Sequence, residues 1–337
     1  NDLLMGVVGE FNKNLKELEK ITQSNLYSRG NSILIKSSLQ KNEIVKNAIQ
    51  FLADQFIING SIENKDIIYP DYYLKPFHGY EYGNMEWKAA FENEAATYSI
   101  SANYWKYVPY KRAEQWMRNN ASHAIHKYCV EQHVDREKIY NIVDIGCSVG
   151  ISTEHLAKAF PKANVWGLDL SPYFLSVAQY RAEEKGSGIQ YVHANAEEIP
   201  MREDKIDMVA VNFMLHEVPY SARNNILQEL YRILKPGGLL AILDLDRSRI
   251  AGHLAYNPFR QWAFEITEPH IQDYYTYSIS ESMYNAGFEH IQKTKNDPVN
   301  TLWIGQKSAL QIHPFSIRSH KVLFQKTRPP QLALGTI

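Results

Sequence analysis

Two carboxylates and two glycines in one stretch of the chain have the types and spacing of a nucleoside-binding site. Residues 143–150 read Val-Asp-Ile-Gly-Cys-Ser-Val-Gly, and nineteen residues after Gly150 an apolar run ends at Asp169. Glycines let such a turn fold tightly and approach a ligand, and an acid at the end of the next strand can accept hydrogen bonds from ribose hydroxyls. The spacing predicts a strand, a turn, a helix and a second strand that hold a nucleoside.

The same turn differs from the dinucleotide-binding pattern in two ways. Its spacing is Asp-x-Gly-x-x-x-Gly rather than Gly-x-Gly-x-x-Gly, and the carboxylate of Asp144 lies inside it. A carboxylate repels a pyrophosphate and attracts an ammonium group. We therefore expect S-adenosylmethionine, which has an amino acid and a sulfonium where a dinucleotide has phosphates.

From about residue 139 the hydrophobic pattern alternates between strands and helices, which predicts a parallel sheet. Strands are expected at 142–145, 164–169, 189–193, 206–211 and 239–245, with helices at about 152–160, from 172, and at 222–234. Ser171 is expected to cap the second of these helices, with Pro172 at its first position. An insertion of about 30 residues precedes two further strands, 289–293 and 301–306, so the sheet should end in a hairpin.

The first 138 residues have a different character. Residues 1–60 have a helical pattern, clearest over 43–57, and a second long helix is expected over about 112–132. Many of the chain's 22 tyrosines lie between residues 69 and 110. Aromatic rings with a polar tip suit the wall of a pocket for a flat, partly polar ligand, and they also suit an aromatic core or a dimer interface. Both interpretations of this region stay open.

Composition limits the class of protein and its partners. The chain has 337 residues with 36 basic and 37 acidic side chains, so its charge gives no reason to expect nucleic acid or an anionic membrane as a partner. Its 2 cysteines provide no disulfide framework, and neither a bilayer-spanning stretch nor a signal-peptide pattern occurs. These features predict a cytoplasmic protein, and they leave the oligomeric state open.

Histidines at helical spacing are the one pattern that would suit a metal site. His123, His126 and His133 are three and seven residues apart, but no matching carboxylate or cysteine pair is near them in sequence. We expect surface or capping histidines there and no metal.

With these motifs, the chain resembles the class I S-adenosylmethionine-dependent methyltransferases, and within them the ubiquinone/menaquinone-biosynthesis-like group (methyltransferase type 11). The resemblance rests on five motifs, at residues 143–150, 167–172, 194–200, 233–238 and 286–288. They occur in order over about 139–307, half of the chain. The resemblance implies an α/β fold, with a Rossmann-like seven-stranded methyltransferase sheet and a mainly helical N-terminal cap.

The resemblance also implies a division into three parts. Residues 1–138 would form an aromatic-rich cap that binds the acceptor. Residues 139–307 would form the cofactor-binding core, with a lid insertion at 247–278. Residues 308–337 would be a C-terminal tail.

Roles of single residues in cofactor binding follow from the same resemblance. Asp144 would hold the methionine ammonium, Asp169 would accept hydrogen bonds from both ribose hydroxyls, and Leu170 would pack on the adenine. The other residues implied to contact the cofactor are Gly146, Ser148 and Gly150 in the turn, Asn195 and Ala196 at the adenine edge, and Asn212 and Phe213 on the methionine side. The group usually has Asp where Asn195 stands, but an amide oxygen can still accept from the adenine amino group.

Methyl transfer mainly requires an aligned nucleophile and the exclusion of water, and a hydroxyl acceptor also needs a base near neutral pH. His216 follows the fourth predicted strand, at the edge of the sheet where ligands bind, with Glu217 beside it. We expect His216 to be this base, with Glu217 as its neighbour. The alternatives are that His216 only lines the pocket and that Glu217 caps a turn.

The acceptor pocket is expected where the aromatic region of the cap meets the insertion. The residues predicted to line it are Tyr73, His78, Tyr80 and Trp262, and Glu268 is a further polar candidate.

These residues lead to an enzyme that methylates a medium-sized small molecule, with O-methylation in a specialised natural-product pathway favoured. The alternatives are N- or C-methylation of a small molecule, an RNA- or protein-modifying methyltransferase, and a non-catalytic cofactor-binding scaffold. Aromatic walls in place of an open basic groove oppose a macromolecular substrate. The intact glycine and acid pattern opposes a scaffold without catalysis.

Overall fold

The computed structural model describes residues 16, 19, 24–29, 32–36, 45–46, 67, 69–105, 107–254 and 258–309. Most of the helix expected at 43–57, and the tail beyond residue 309, lie outside these residues. Among the described residues, no helix is both long and apolar enough to cross a membrane.

A seven-stranded sheet forms the centre of the protein, with the strand order β5-β4-β3-β6-β7-β9-β8. The strands are β3 (Asn141–Ile145), β4 (Asn164–Asp169), β5 (Gln190–His193), β6 (Ile206–Asn212), β7 (Leu234–Leu245), β8 (Phe288–Lys295) and β9 (Asn300–Lys307). The first five are parallel, whereas β9 pairs antiparallel with both β7 and β8. This is the Rossmann-like methyltransferase sheet that the sequence predicts, including its final hairpin.

Both faces of this sheet are buried under helices, so successive residues of a strand belong to different cores. Val209 and Val211 of β6 pack on one side, and Met208 and Ala210 on the other. The helices are α1 (Trp87–Tyr104), α2 (Tyr110–Glu131), α3 (Ile151–Ala159), α4 (Pro172–Lys185), α5 (Tyr220–Ile233), α6 (Arg247–Leu254), α7 (Pro258–Thr267), α8 (Ile271–Tyr274) and α9 (Ile279–Asn285).

Local sequence sets the ends of two of these helices. The hydroxyl oxygen of Ser171 accepts a hydrogen bond from the backbone N–H of Phe174 at 3.2 Å, and Pro172 opens α4, as predicted. Helix α5 ends at Ile233, but β7 begins directly at Leu234 rather than at 239. The strand starts early because Leu234 already pairs with Ile206, before an irregularity that restores regular pairing at Leu239.

Near the N-terminus the structure corrects the expectation of helices over residues 1–60. Two antiparallel strands, β1 (Asn25–Arg29) and β2 (Ser32–Lys36), form a hairpin there. The reason is an alternation of period two that the helical interpretation overlooked: Leu26 is buried, whereas Tyr27 is 54% exposed. Leu26 packs in a small core with Trp87 of α1, so the hairpin is attached to the cap helices.

Candidate active site

One cavity opens at the carboxyl ends of strands β3 to β6, with a volume of about 1190 Å³ including the part open to solvent. Residues of the sheet edge that were predicted to bind cofactor form one wall: Gly146, Ser148, Asp169, Leu170, Asn195, Ala196, Asn212 and Phe213. Residues that precede the sheet in sequence form the facing wall: Tyr72, Tyr73, Phe77, His78, Asn84, Asn93, Thr97 and Arg118. The cavity therefore lies between the edge of the sheet and residues that precede it in sequence, which are called the cap below.

The turn after β3 needs its glycines for two physical reasons. Gly146 and Gly150 have positive φ angles of 67° and 82°, where a side chain is strained. A Cβ at Gly146 would also lie 2.8 Å from the sulfur of Met214, and one at Gly150 would overlap the hydroxyl of Tyr191. Gly150 is not among the residues that line the cavity, so it shapes the turn from behind.

Between these glycines, Ser148 presents two polar groups. Its backbone N–H donates to Oδ2 of Asp169 at 2.8 Å. Its hydroxyl oxygen is buried without a hydrogen-bond partner in the described protein, although the residue lines the cavity. A buried hydroxyl normally finds a partner, so this one is suited to a bound ligand.

Asp169 ends β4 and is held by the backbone. The N–H groups of Ser148 and Ser171 each donate to its carboxylate at 2.8 Å, and the hydroxyl of Tyr73 lies 3.5 Å from Oδ1. Burial raises the pKa of Asp169 to about 6, against the lowering effect of the backbone hydrogen bonds. The carboxylate is thus fixed at the cavity wall, with lone pairs left for further donors.

Asp144 is placed differently from its prediction. It is fully buried and does not line the cavity, because it lies behind Asn212 and Ser152. Its carboxylate accepts hydrogen bonds from Ser152 at 2.6 Å, Thr153 at 2.7 Å and Asn212 at 3.0 Å. The geometry therefore favours an indirect role, in which Asp144 orients Asn212, over direct binding of an ammonium group.

Asn195, at the expected adenine end, already makes one bond with its side chain. Its Oδ1 accepts from the backbone N–H of Glu197 at 2.9 Å, which leaves one lone pair for a ligand. Leu170, Val218 and Ile226 give this end of the cavity an apolar lining.

His216 lies behind the cavity wall and is paired with a carboxylate. It is buried, does not line the cavity, and its Nδ1 lies 2.6 Å from Oδ1 of Asp244 on β7. Burial lowers the pKa of His216, but the charge and hydrogen bond of Asp244 outweigh this and raise it to about 9. The burial of His216 and its bond to Asp244 favour a structural role, and its role as the base stays a prediction.

Its neighbour Glu217 does line the cavity. Burial raises the pKa of Glu217 to about 7, against the lowering effect of the charges on His78 and His216. His78 of the cap has its Nε2 3.9 Å from Oε1 of Glu217 and 2.8 Å from Oε1 of Glu268. Burial lowers the pKa of His78, whereas its hydrogen bond to the carboxylate of Glu268 and the charge of Glu217 raise it above its ordinary value.

Three parts of the chain therefore meet at one acid–base cluster, formed by His78, Glu217 and Glu268. His78 comes from the cap, Glu217 from the core and Glu268 from the insertion. A backbone hydrogen bond from His78 N–H to the carbonyl of Thr267, at 3.0 Å, joins the cap to the insertion at the same place.

Two residues predicted for the acceptor pocket lie elsewhere. Tyr80 does not line the cavity, because its hydroxyl donates to Glu92 at 2.8 Å on the protein surface. Trp262 is 55% exposed and stacks near Phe259 on the outer side of α7. Tyr73 and His78 do line the cavity, so residues before the sheet supply aromatic rings there, and the carboxylate of Glu268 from the insertion lies behind His78.

Sequence reasoning missed a group of cap residues that reach the cavity from α1 and α2, namely Asn93, Thr97 and Arg118. No motif marks them. The only available signal was their position on helices expected to lie before the first core strand.

The cavity has the parts that S-adenosylmethionine requires. An apolar end is suited to adenine, the fixed carboxylate of Asp169 is suited to a ribose, and a polar end at Gly146, Asn212 and Arg118 is suited to an amino acid. The unpaired hydroxyl of Ser148 lies between them. Within the described ranges, no three His, Cys, Asp or Glu side chains are grouped so that they could hold a metal ion.

Comparisons with known proteins agree with this geometry. Residues 143–242 match the family model described as "Methyltransferase domain". The demethylmenaquinone methyltransferase of Listeria welshimeri is 33% identical over 118 residues, which are 34% of this chain and 49% of that protein. The one from Geobacillus stearothermophilus is 27% identical over 174 residues, 50% of this chain and 68% of that protein. The chain thus spans about half the length of the Listeria relative.

Among solved structures, a SAM-dependent methyltransferase from Aquifex aeolicus aligns with a TM-score of 0.44 and 14% identity, over 63% of this chain and 97% of that one. The residues matched by the family model, 143–242, include strand β4, strand β5, strand β6 and the turn after β3, which line the sheet side of the cavity. Over residues 143–242, the chain is thus similar to known methyltransferases, and this segment contains the turn of Gly146 and Gly150 together with Asp169.

Proposed function

We propose that the chain transfers a methyl group from S-adenosylmethionine to a hydroxyl group of a medium-sized small molecule, in a specialised biosynthetic pathway. The observation that carries this proposal concerns the carboxylate of Glu217. Its pKa is about 7, and it lines the same cavity as the residues proposed to bind the cofactor. A carboxylate with a pKa near 7 is suited to accept the proton of a hydroxyl group near neutral pH.

The sheet edge would hold the cofactor. Asp169 would accept hydrogen bonds from the ribose hydroxyls, Leu170 and Ala196 would contact the adenine, and Asn212 would meet the amino acid part. When bound, S-adenosylmethionine supplies a methyl group on a positively charged sulfur, which is a good leaving group. The protein's remaining task is to orient the acceptor and to keep water out.

Glu217 would act as the base in this arrangement. Its carboxylate accepts the proton as the acceptor O–H bond breaks, and the electron pair of that bond is left on the oxygen that forms the new bond to the methyl carbon. His78 lies 3.9 Å from Glu217, and its side chain is 38% exposed, so it provides a route for the proton toward solvent. Tyr72, Tyr73 and Phe77 exclude water from the same side of the cavity.

An aromatic ring is the acceptor that this cavity suits best. Flat aromatic walls favour stacking with a ring. A phenol-like hydroxyl is acidic enough for a base with a pKa of about 7 to remove its proton. The curated relatives are named for a quinone-type substrate, demethylmenaquinone, which supports a ring acceptor here.

A second candidate is methylation at a ring carbon of the same kind of acceptor, one of the alternatives that the sequence leaves open. Glu217 would remove the same hydroxyl proton, and the negative charge would then be shared with the carbon beside the hydroxyl. The two candidates differ in their product, an aryl ether in one case and a C-methyl ring in the other.

The test combines a product assay with a variant. A panel of phenols and hydroquinones is incubated with the protein and isotopically methyl-labelled S-adenosylmethionine, and NMR shows whether the label is on oxygen or carbon. Glu217→Gln should lower turnover by roughly 10²–10⁴-fold and leave the affinity for S-adenosylhomocysteine unchanged. The rate of the wild type should rise with pH through about 7, and the variant should lose this rise.

Glu184→Gln, on the exposed side of α4, is the matched control and should keep full activity. If Glu217→Gln retains wild-type turnover and pH profile on an accepted substrate, Glu217 is not the base. If no member of the panel is labelled while nitrogen-containing acceptors are, the hydroxyl assignment is wrong.

A further inference from the structure

Arg223, on helix α5, is a fully buried arginine that the proposed mechanism does not use. The exposed fraction of its side chain is 0%, and it does not line the cavity. Its guanidinium carbon lies 5.3 Å from the ring centroid of Tyr274 and 5.0 Å from that of Tyr277, which restricts its plane. A guanidinium group is costly to bury unless its N–H groups are bonded and its charge is paired. The partners of Arg223 therefore indicate what it contributes.

The guanidinium of Arg223 joins two separate segments of the chain. Its Nε donates to the carbonyl oxygen of Leu215 at 2.8 Å, and its Nη2 donates to the carbonyl oxygen of His270 at 3.2 Å. Its Nη1 lies 3.4 Å from Oδ2 of Asp273, which pairs its charge. Leu215 belongs to the turn after β6, whereas His270 and Asp273 belong to the insertion. The insertion lies outside residues 143–242, so the match to the methyltransferase family assigns this bridge no role.

The two carbonyl groups that Arg223 binds are close in sequence to the two carboxylates of the acid–base cluster. Leu215 is two residues before Glu217, and His270 is two residues after Glu268. One buried side chain thus holds the backbone next to both glutamates. Because these glutamates come from separate segments, their spacing depends on how the segments are joined.

The turn at residues 215–217 has a second anchor, on the side of the sheet. Oδ2 of Asp244 accepts from the backbone N–H of Leu215 at 2.9 Å, and Oδ1 lies 2.6 Å from Nδ1 of His216. Asp244 therefore holds the turn against β7, whereas Arg223 holds the insertion against the turn. Loss of Arg223 should loosen the insertion and leave the turn on the sheet.

We propose that Arg223 is a positioning residue for the proposed base, and that it holds Glu217 and Glu268 at the spacing at which both carboxylates meet His78. This inference rests on the proposed function, since it takes Glu217 as the base. Arg223 itself acts through the backbone of the two segments and not on the acceptor. Without the bridge, the insertion moves away from the turn, water reaches Glu217, and the proton route through His78 is weakened.

The bridge should also influence the pH range in which the base works. The titratable groups that face Glu217 come from the cap, the insertion and the core, and they are His78, Tyr73, Glu268, His216 and Asp244. Burial is the largest cause of the raised pKa of Glu217, and the positive charges of His78 and His216 each lower it by less. Water that enters after loss of the bridge should therefore lower the pKa of Glu217.

The pH dependence of turnover, measured with a phenol that the wild type methylates, tests this role. Lysine keeps a positive charge but lacks the planar fork that bonds two carbonyl groups and a carboxylate together. Arg223→Lys should lower kcat by about 10- to 100-fold, because the base is misplaced. It should also move the rise of kcat to a lower pH by about 0.5 to 1 pH unit. The affinity for S-adenosylhomocysteine should change by less than about twofold, since Arg223 does not line the cavity.

A second variant keeps the test decisive if Arg223→Lys does not fold. Asp273→Asn removes only the carboxylate that pairs the guanidinium, at a side chain that is 41% exposed. The asparagine oxygen can still accept from the backbone N–H of Tyr220, as Asp273 does at 2.8 Å. This variant should shift the pH profile in the same direction as Arg223→Lys and by a smaller amount.

Arg232→Lys is the matched control. Arg232 is on the same helix and also donates to two backbone carbonyl groups, those of Met201 at 2.8 Å and Ile199 at 3.0 Å, but neither residue lines the cavity. Its loss should lower the melting temperature without moving the pH profile.

The outcomes separate this proposal from the proposed function. An Arg223→Lys or Asp273→Asn protein that is folded and keeps the wild-type kcat and pH profile would overturn the role of Arg223, as would an equal shift in Arg232→Lys. A wild-type rate that does not rise through about pH 7, or a rise that persists in Glu217→Gln, would instead contradict Glu217 as the base.

Discussion

The two walls of the cavity are built by different means. On the core side, backbone N–H groups hold Asp169 at the end of a strand, and the glycines of one turn shape the surface next to it. On the cap side, long-range side-chain contacts place the chemistry, such as His78 against Glu217 and Glu268. The comparison teaches that cofactor binding is encoded locally, whereas the acceptor site depends on how separate segments pack.

A change on the core side should have the largest effect. Asp169→Ala removes the carboxylate proposed to accept from both ribose hydroxyls, and each charge-assisted hydrogen bond contributes about 1.5–3 kcal/mol. We expect the affinity for S-adenosylhomocysteine to fall by at least about 100-fold, with unchanged far-UV circular dichroism. Calorimetric titration measures this affinity. The control is Asp71→Ala, which removes an exposed acid of the cap. Unchanged affinity would show that Asp169 does not bind the cofactor. It would also contradict the conclusion that the core side of the cavity binds it.

A change behind the core wall should affect stability rather than chemistry. His216→Gln removes the positive partner of the buried Asp244, and breaking a buried pair costs about 3 kcal/mol. His216 has its pKa raised from 6.5 to about 9, so its stabilising contribution is fully present below pH 6.5 and is lost as pH rises through about 9.

Denaturant unfolding at several pH values measures this difference between His216→Gln and the wild type. The difference in unfolding free energy should be large at pH 6.5 and should shrink as pH rises above about 9. His123→Gln, exposed on α2, should match the wild type throughout. A difference that stays constant with pH would mean that His216 is not charged in the folded protein.

A change on the cap side should have the smallest effect. It should weaken binding of the acceptor without changing binding of the cofactor. Glu268→Gln replaces the carboxylate 2.8 Å from Nε2 of His78 with a neutral amide. Loss of one such interaction should raise the KM for the acceptor by about 3- to 10-fold, with kcat less affected and S-adenosylhomocysteine affinity unchanged. Glu265→Gln, on helix α7, which ends one residue before Glu268, is the control and lies outside the cavity wall. A change in cofactor affinity instead would show that the two walls do not act separately.

The sequence predicted those features that depend on neighbouring residues. The parallel strands followed from alternating elements, the final hairpin from two short strands after the insertion, and the start of helix α4 from Ser171 and Pro172. The hairpin at residues 25–36 was missed because a short alternating run lay within a region that also fits a helical pattern.

The catalytic side could not be predicted for a physical reason. His216 has the position of a base, but Asp244, twenty-eight residues later, binds its Nδ1 and raises its pKa to about 9. Arg118 lies ninety-four residues before Asn212 in sequence, although their side chains meet. Contacts of this kind depend on the packing of whole elements, which spacing along the chain does not encode.

The backbone hydrogen bond between His78 and Thr267 has a consequence for how this protein can evolve or be engineered. Because it joins an N–H to a carbonyl, the attachment of the cap to the insertion at this point does not depend on which side chains either residue has. Neighbouring side chains outside the cluster of His78, Glu217 and Glu268 can therefore change while this bond joins the two segments. New acceptors can be sought by diversifying residues around this joint, with the nucleoside-binding edge of the sheet left untouched.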